Sequence, residues 1–149
     1  MPKFSLLRIV SWMALLFAAL GVAAQPAMAA DTKKPRVVVA VFTKDTARQD
    51  LLMRNLQNLR KDRPQATIEV VAFGPGLSLM TSKVDGSDNT MSKSVAALSD
   101  AGVKFLACGN TMRAMKISKE DLLPKVGVVP SGIVHVVDRQ QEGWAYFAP

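Results

Sequence analysis

The hydrophobic positions along this chain change period repeatedly, and each change marks an element boundary. Arg36-Val37-Val38-Val39-Ala40-Val41-Phe42 is a continuous β-branched run, the pattern of a strand buried on both faces. A polar loop, Thr43-Lys44-Asp45-Thr46, follows it. Leu51, Leu52, Leu56 and Leu59 then recur at helical spacing, which predicts an amphipathic helix over 46–62 that Pro64 stops. Thr67 to Phe73 repeats the strand pattern until Gly74-Pro75-Gly76 breaks it. The stretch from Leu77 to Asn89 is less regular, and Asp85-Gly86-Ser87-Asp88-Asn89 is loop chemistry. Met91 to Ala101 is expected to be helical, with Val95 and Leu98 inward and Gly102 as the stop.

Val103 to Ala107 reads as a third strand ending at Cys108-Gly109-Asn110, and Thr111 to Lys116 as the start of a helix. Ser118-Lys119-Glu120-Asp121 has capping-box spacing and opens one more turn before Pro124. Val126 to Val129 is a fourth short strand. The β-branched residues from Ile133 to Gln141 favour a strand. Ser131 is nevertheless a good N-cap and Gly143 a good stop, and the preceding alternation also favours a helix there. Trp144-Ala145-Tyr146-Phe147 completes the series as a final strand whose Trp144 and Tyr146 pack or line an interface. This βαβαβαβαβ order predicts an α/β domain built on a mostly parallel sheet with helices on both faces.

The residues ahead of this domain follow a different rule. Lys3 and Arg8 precede a nearly unbroken apolar run, Ile9 to Ala24, and Ala27-Met28-Ala29 offers small residues at −3 and −1. That run is shorter than the roughly 20 residues of a spanning helix. The expectation is a cleaved signal peptide over 1–29, general export to the periplasm, no stable membrane insertion after cleavage, and a single domain over 30–149. Without Lys3 and Arg8 the net charge falls from the +7 of the whole chain to +5. The basic clusters Lys33-Lys34-Arg36 and Arg60-Lys61-Arg63 flank expected elements, where solvated charge is ordinary, so no nucleic acid partner is expected.

Cys108 is the only cysteine, which excludes an intramolecular disulfide. In a parallel sheet, ligands gather at the carboxyl ends of the strands. Four strand-to-helix junctions would share that rim: Phe42 to Asp45, Phe73 to Gly76, Ala107 to Asn110 and Val129 to Gly132. A sulfur at a helix start sees unpaired N–H groups that favour thiolate over thiol. Gly109 would leave the sulfur uncrowded and Arg113 would add positive potential. The alternative is a buried cysteine acting as a small hydrophobe. Candidate pocket residues on this rim are Thr43, Lys44, Gly74, Gly76, Gly109, Asn110, Arg113 and Ser131. His135 is the only histidine and has no second ligand type nearby, so no metal site is expected. Gly74-Pro75-Gly76 lacks the lysine and hydroxyl residue of a phosphate loop, and no cofactor is expected. Met112 and Met115 at helical spacing read as core filler.

Several segments carry a family likeness. Val70 to Leu77, Phe105-Leu106-Ala107-Cys108-Gly109-Asn110-Thr111-Met112, Asp121 to Pro124, Val128 to Gly132 and Gln140 to Tyr146 resemble the DsrE/DsrF-like (YchN-like) family of small sulfur-relay proteins, in its exported branch. The resemblance implies a three-layer α/β/α fold with a five-stranded parallel sheet and assembly into homo- or hetero-oligomers, often trimers or hexamers. It also implies that Cys108 matches the cysteine that carries sulfur as a persulfide. The expected function is therefore a sulfur carrier, sulfurtransferase-like rather than a turnover enzyme, exchanging sulfur with a donor or acceptor protein. The alternative is a non-enzymatic oligomeric module that binds a small ligand or protein and keeps an inert thiol.

Overall fold

The computed structural model describes residues 34–149. The expected signal peptide and cleavage point lie outside these residues. Strand β1, Arg36–Val41, leads through a loop into α1, Thr46–Asp62. Asp45 caps that helix, its Oδ1 accepting the N–H groups of Ala47 at 2.9 Å and Arg48 at 3.3 Å. Arg60 and Lys61 in the last turn meet the negative end of the helix dipole. Then follow β2, Thr67–Ala72, a 3₁₀ helix, Gly74–Met80, and a small hairpin of β3, Lys83–Val84, and β4, Ser87–Asp88. Helix α2, Ser92–Asp100, strand β5, Lys104–Cys108, helix α3, Gly109–Met115, and a 3₁₀ turn, Lys119–Asp121, come next. The chain ends with β6, Gly127–Val129, α4, Gly132–Gln141, and β7, Ala145–Phe147.

The main sheet has the order β6-β5-β2-β1-β7 and every pairing is parallel. The chain steps in one direction from β1 to β6, then crosses back to place β7 beside β1. Right-handed crossovers put α1, α2 and α3 on one face and α4 on the other. The apolar clusters follow that division. Val39, Val41, Ile68, Val70, Phe105 and Ala107 pack with Leu52, Leu56, Val95 and Leu98 on the first face. Val38, Ala40 and Val71 meet Val129 and Val136 on the second. Alternation along each strand serves both faces, which explains the unbroken apolar runs.

The structure differs from expectation in the stretch after β2. Gly74-Pro75-Gly76 breaks the strand but also starts the seven-residue 3₁₀ helix, which buries Leu77, Leu79 and Met80. A Cβ at Gly76 would lie 2.2 Å from the Val41 carbonyl oxygen, so only glycine allows this approach. The hairpin turns through Asp85 at φ 50° and Gly86 at φ 81°, the positive pair that a two-residue turn needs. Buried Asn89 anchors the segment. Its Nδ2 donates to the carbonyls of Ser78, Leu79 and Thr81 at 3.0, 3.2 and 2.8 Å. Helix α3 starts at Gly109, two residues ahead of Thr111. Ile133 to Gln141 is helical as the alternation required, and Ser131 takes the N-cap position without a side-chain capping bond.

Candidate thiol site and neighbouring cleft

Along β5, Phe105 and Ala107 belong to the first face, so Leu106 and Cys108 turn toward α4. The Cys108 sulfur sits at the carboxyl end of the sheet and accepts the Gly132 N–H at 3.1 Å. Gly132 is the first residue of α4. A Cβ there would stand 3.1 Å from both Cys108 Cβ and Phe73 Cδ1, so glycine is what brings the helix start onto the sulfur. Cys108 is only 4% exposed. Burial pushes its thiol pKa up, but the amides of Gly132, Thr111 and Asn110 and the Thr111 hydroxyl outweigh burial and hold it below the ordinary value. Negative charge on this sulfur is therefore favoured by groups from the starts of both α3 and α4.

The rim residues named from the sequence divide into separate groups. Asn110 donates its N–H to the Pro130 carbonyl at 3.2 Å, tying the β5 and β6 junctions together. Its side-chain oxygen takes the Arg113 guanidinium. Gly109 passes close beneath the Val129 and Pro130 carbonyls, where a Cβ would meet them at 3.2 and 3.4 Å. Ser131 precedes the glycine that contacts the sulfur. Thr43 serves the β1–α1 loop: its Oγ1 accepts the Asp45 N–H at 3.1 Å and its carbonyl accepts Gln49 Nε2 at 2.9 Å. Gly76 packs on β1. Lys44 and Gly74 line a different space.

That space is a cleft of about 720 Å³ formed by the 3₁₀ helix, the β3–β4 hairpin and α3. Cys108 does not line it. Thr111 does, and it belongs to both places: its Oγ1 accepts the Gly74 N–H at 2.9 Å, while its hydroxyl and amide stabilise the Cys108 thiolate.

A second polar group lies under α4. Glu69, 3% exposed by its side chain, has His135 Nε2 at 2.8 Å, Arg139 Nε at 2.7 Å and Lys104 Nζ at 3.7 Å. Burial pushes the Glu69 carboxyl pKa up, yet hydrogen bonds from Arg139 and His135 and their charges hold it below the usual carboxylate value. Arg139 also pairs with Glu142 at 3.0 Å and lies over the Trp144 ring, 4.9 Å from its centroid. No group of three potential metal ligands occurs among the described residues. No helix among them is long and apolar enough to cross a membrane.

The sequence profile of the DsrE/DsrF-like family matches residues 22–149. The chain belongs to the DsrE/DsrF-like family. Among solved structures it is similar to MTH1491, a protein of unknown function from Methanobacterium thermoautotrophicum. The two share 42% identity over 77% of this chain and 99% of that one, with a TM-score of 0.72. The ychN protein of E. coli, 12% identical, aligns over 78% of this chain and all (100%) of its own at a TM-score of 0.63. BT1422 of Bacteroides thetaiotaomicron, also 12% identical, covers 76% of this chain and 94% of its own at 0.59. These last two show the fold. No curated protein matches the chain.

Within this DsrE/DsrF-like domain, sequence reasoning placed Cys108 at the rim but missed two of its partners. Gly132 reaches the sulfur from the β6 junction, and Thr111 was read only as a helix start. Glu69 was missed as well. Its signal was available, because it is the only charged residue in the run from Thr67 to Phe73. His135, the only histidine, serves as a partner of that carboxylate.

Proposed function

We propose that this protein handles sulfane sulfur, with Cys108 accepting it and passing it on as a persulfide. The observation that carries the reading is the Gly132 N–H directed at the Cys108 sulfur at 3.1 Å, where the start of α4 favours the thiolate that performs such exchange and the thiol is held below its ordinary pKa. With thiosulfate as donor, the thiolate attacks the outer sulfur, an S–S bond to Cys108 forms, and sulfite leaves with the electron pair of the broken bond. Because Cys108 is almost wholly buried, transfer requires the start of α4, whose Gly132 N–H meets the sulfur, to move aside. The leader pattern supports export to the periplasm. Ile133, Val134 and Val137, exposed on α4, support assembly of copies through that face, as a homo-oligomer. A sulfur-donor or acceptor protein is the natural second partner. The test is intact-protein mass after incubation with thiosulfate. One added sulfur, about 32 Da, is expected on the wild type and none on Cys108→Ser. Equal uptake by Cys108→Ser sinks the reading.

A second reading rests on two other observations, the 4% exposure of Cys108 and the large cleft that it does not line. Here the protein is a non-enzymatic binding module, the cleft takes the ligand and the thiol is inert. Ligand binding then survives Cys108→Ser and is lost on changes around Lys44 and Gly74.

A further inference from the structure

We propose that the cleft beside α3 binds a small zwitterion with an apolar body, of the class of amino acids and short peptides. The proposal deepens the binding-module reading and is independent of sulfur transfer. At about 720 Å³ the cleft is within the range of small-molecule sites, roughly 300–1,000 Å³. Val84, Met115 and Ile117 give it apolar surface. Its charged residues are Lys44, Lys83, Asp85 and Asp121, two of each sign. Among the described residues neither lysine makes an ion pair, and neither does Asp85. Asp121 accepts the Ser118 N–H at 2.7 Å and the Ser118 hydroxyl at 2.8 Å but has no cation. A simple anion would leave the carboxylates unmatched, and a simple cation the lysines. A molecule carrying both signs matches the set.

The walls are held in place before any ligand arrives. Gln49 ties the Lys44 loop to the 3₁₀ helix, its Nε2 donating to the Thr43 carbonyl at 2.9 Å and to Ser78 Oγ at 3.1 Å. Asn89 fixes the entry to the hairpin, and the Ser82 N–H donates to the Asp121 carbonyl at 2.7 Å. Such a preformed cleft binds without first ordering its own loops. Hydroxyls of Ser78 and Ser82 add donors and acceptors suited to peptide groups.

The test titrates isotope-labelled protein with S-methylglutathione, which carries both charges but no transferable sulfur, and follows backbone amide resonances. Saturable shifts at Gly74, Val84, Thr111 and Ile117 are expected, retained in Cys108→Ser. Lys44→Gln with Lys83→Gln should weaken binding at least tenfold while the remaining spectrum stays that of the folded protein. Octanoate, an anion with an apolar tail, should bind more weakly. Octanoate binding as tightly as the peptide overturns the ligand class and leaves the binding-module reading standing. Absence of S-methylglutathione binding to the wild type overturns the proposal. Loss of self-association in the lysine variant, with no probe binding to the wild type, would make the cleft a contact between copies and also overturns the proposal.

Discussion

The two faces of the sheet are covered by different amounts of protein and carry different kinds of residue. On the first face three helices and a 3₁₀ segment lie over Val39, Val41, Ile68, Val70, Phe105 and Ala107, and the buried polar residues of those elements and their loops, Gln49, Thr81 and Asn89, are uncharged. On the second a single ten-residue helix, α4, crosses the sheet and buries only Gly132 and Val136. The buried titratable groups are on this thin side: Glu69 with Arg139, His135 and Lys104 at one end, and Cys108 at the other. The difference separates two ways of fixing a sheet. The thick face is held by close packing. The thin face has too little apolar cover for that, and it is held by a buried carboxylate whose burial is offset only if its partners stay in place. That network orients α4, and α4 in turn brings Gly132 to the sulfur.

The largest effect should come from the thick face. Phe105→Ala removes a ring that is 1% exposed, and a loss of about 4 kcal/mol in urea unfolding is expected. A loss under about 2 kcal/mol would mean that this face relaxes around the cavity and is not the close-packed half. A partner substitution should not restore the loss, because no single residue supplies the missing contacts.

On the thin face the loss should be smaller and reversible. Arg139→Met leaves Glu69 buried with His135 and Lys104 only, and costs about 2–3 kcal/mol, below a fully buried pair because Arg139 is 26% exposed. Adding Glu69→Leu should recover most of it. If the double variant is no more stable than Arg139→Met, the carboxylate and guanidinium do not act as a unit. The acid dependence should follow the same pair. The folded carboxyl of Glu69 has a lowered pKa, so its contribution is complete above the unfolded carboxylate value and is lost as pH falls through the folded one. Urea midpoints at pH 7 and pH 3 should differ more for the wild type than for the double variant. Equal differences would remove Glu69 from the acid response.

The sequence made the thick face legible and left most of the thin one hidden, for a physical reason. Helices α1 and α2 declare themselves through Leu52, Leu56, Val95 and Leu98, because packing against a broad apolar surface imposes a regular period. The carboxyl-end rim was also legible, since four parallel junctions must share an edge. What completes the thiol site comes from pairs distant in the chain. Gly132 is 24 residues from Cys108, and Arg139 is 70 from Glu69. No local period records such pairs. The side to which Cys108 points depends on its phase against Ala107 at a strand end, where one residue reverses the face. The cleft depends on a hairpin with strands of two residues each, too short to leave alternation in the sequence. Its turn residues showed only that a loop was there.

The smallest expected effect tests where the two faces meet, at Thr111. Its hydroxyl oxygen accepts the Gly74 N–H from the cleft side, and its hydrogen is free to serve the Cys108 sulfur on the α4 side. A hydroxyl that already accepts at its oxygen donates more strongly, so the pair acts as a short relay. Thiolate absorbance near 240 nm, taken as wild type minus Cys108→Ser, should appear below the ordinary cysteine range. Thr111→Val keeps the shape and deletes the relay, and the midpoint should rise by the worth of one hydrogen bond, about 1 kcal/mol. Gly132→Ala, which pushes a methyl group toward Cys108 Cβ and Phe73, serves as the counterpart on the α4 side and should raise it too. A rise with Gly132→Ala alone would make the thiol a property of the thin face only. A rise with both means that the starts of α3 and α4 each stabilise the charge on the sulfur.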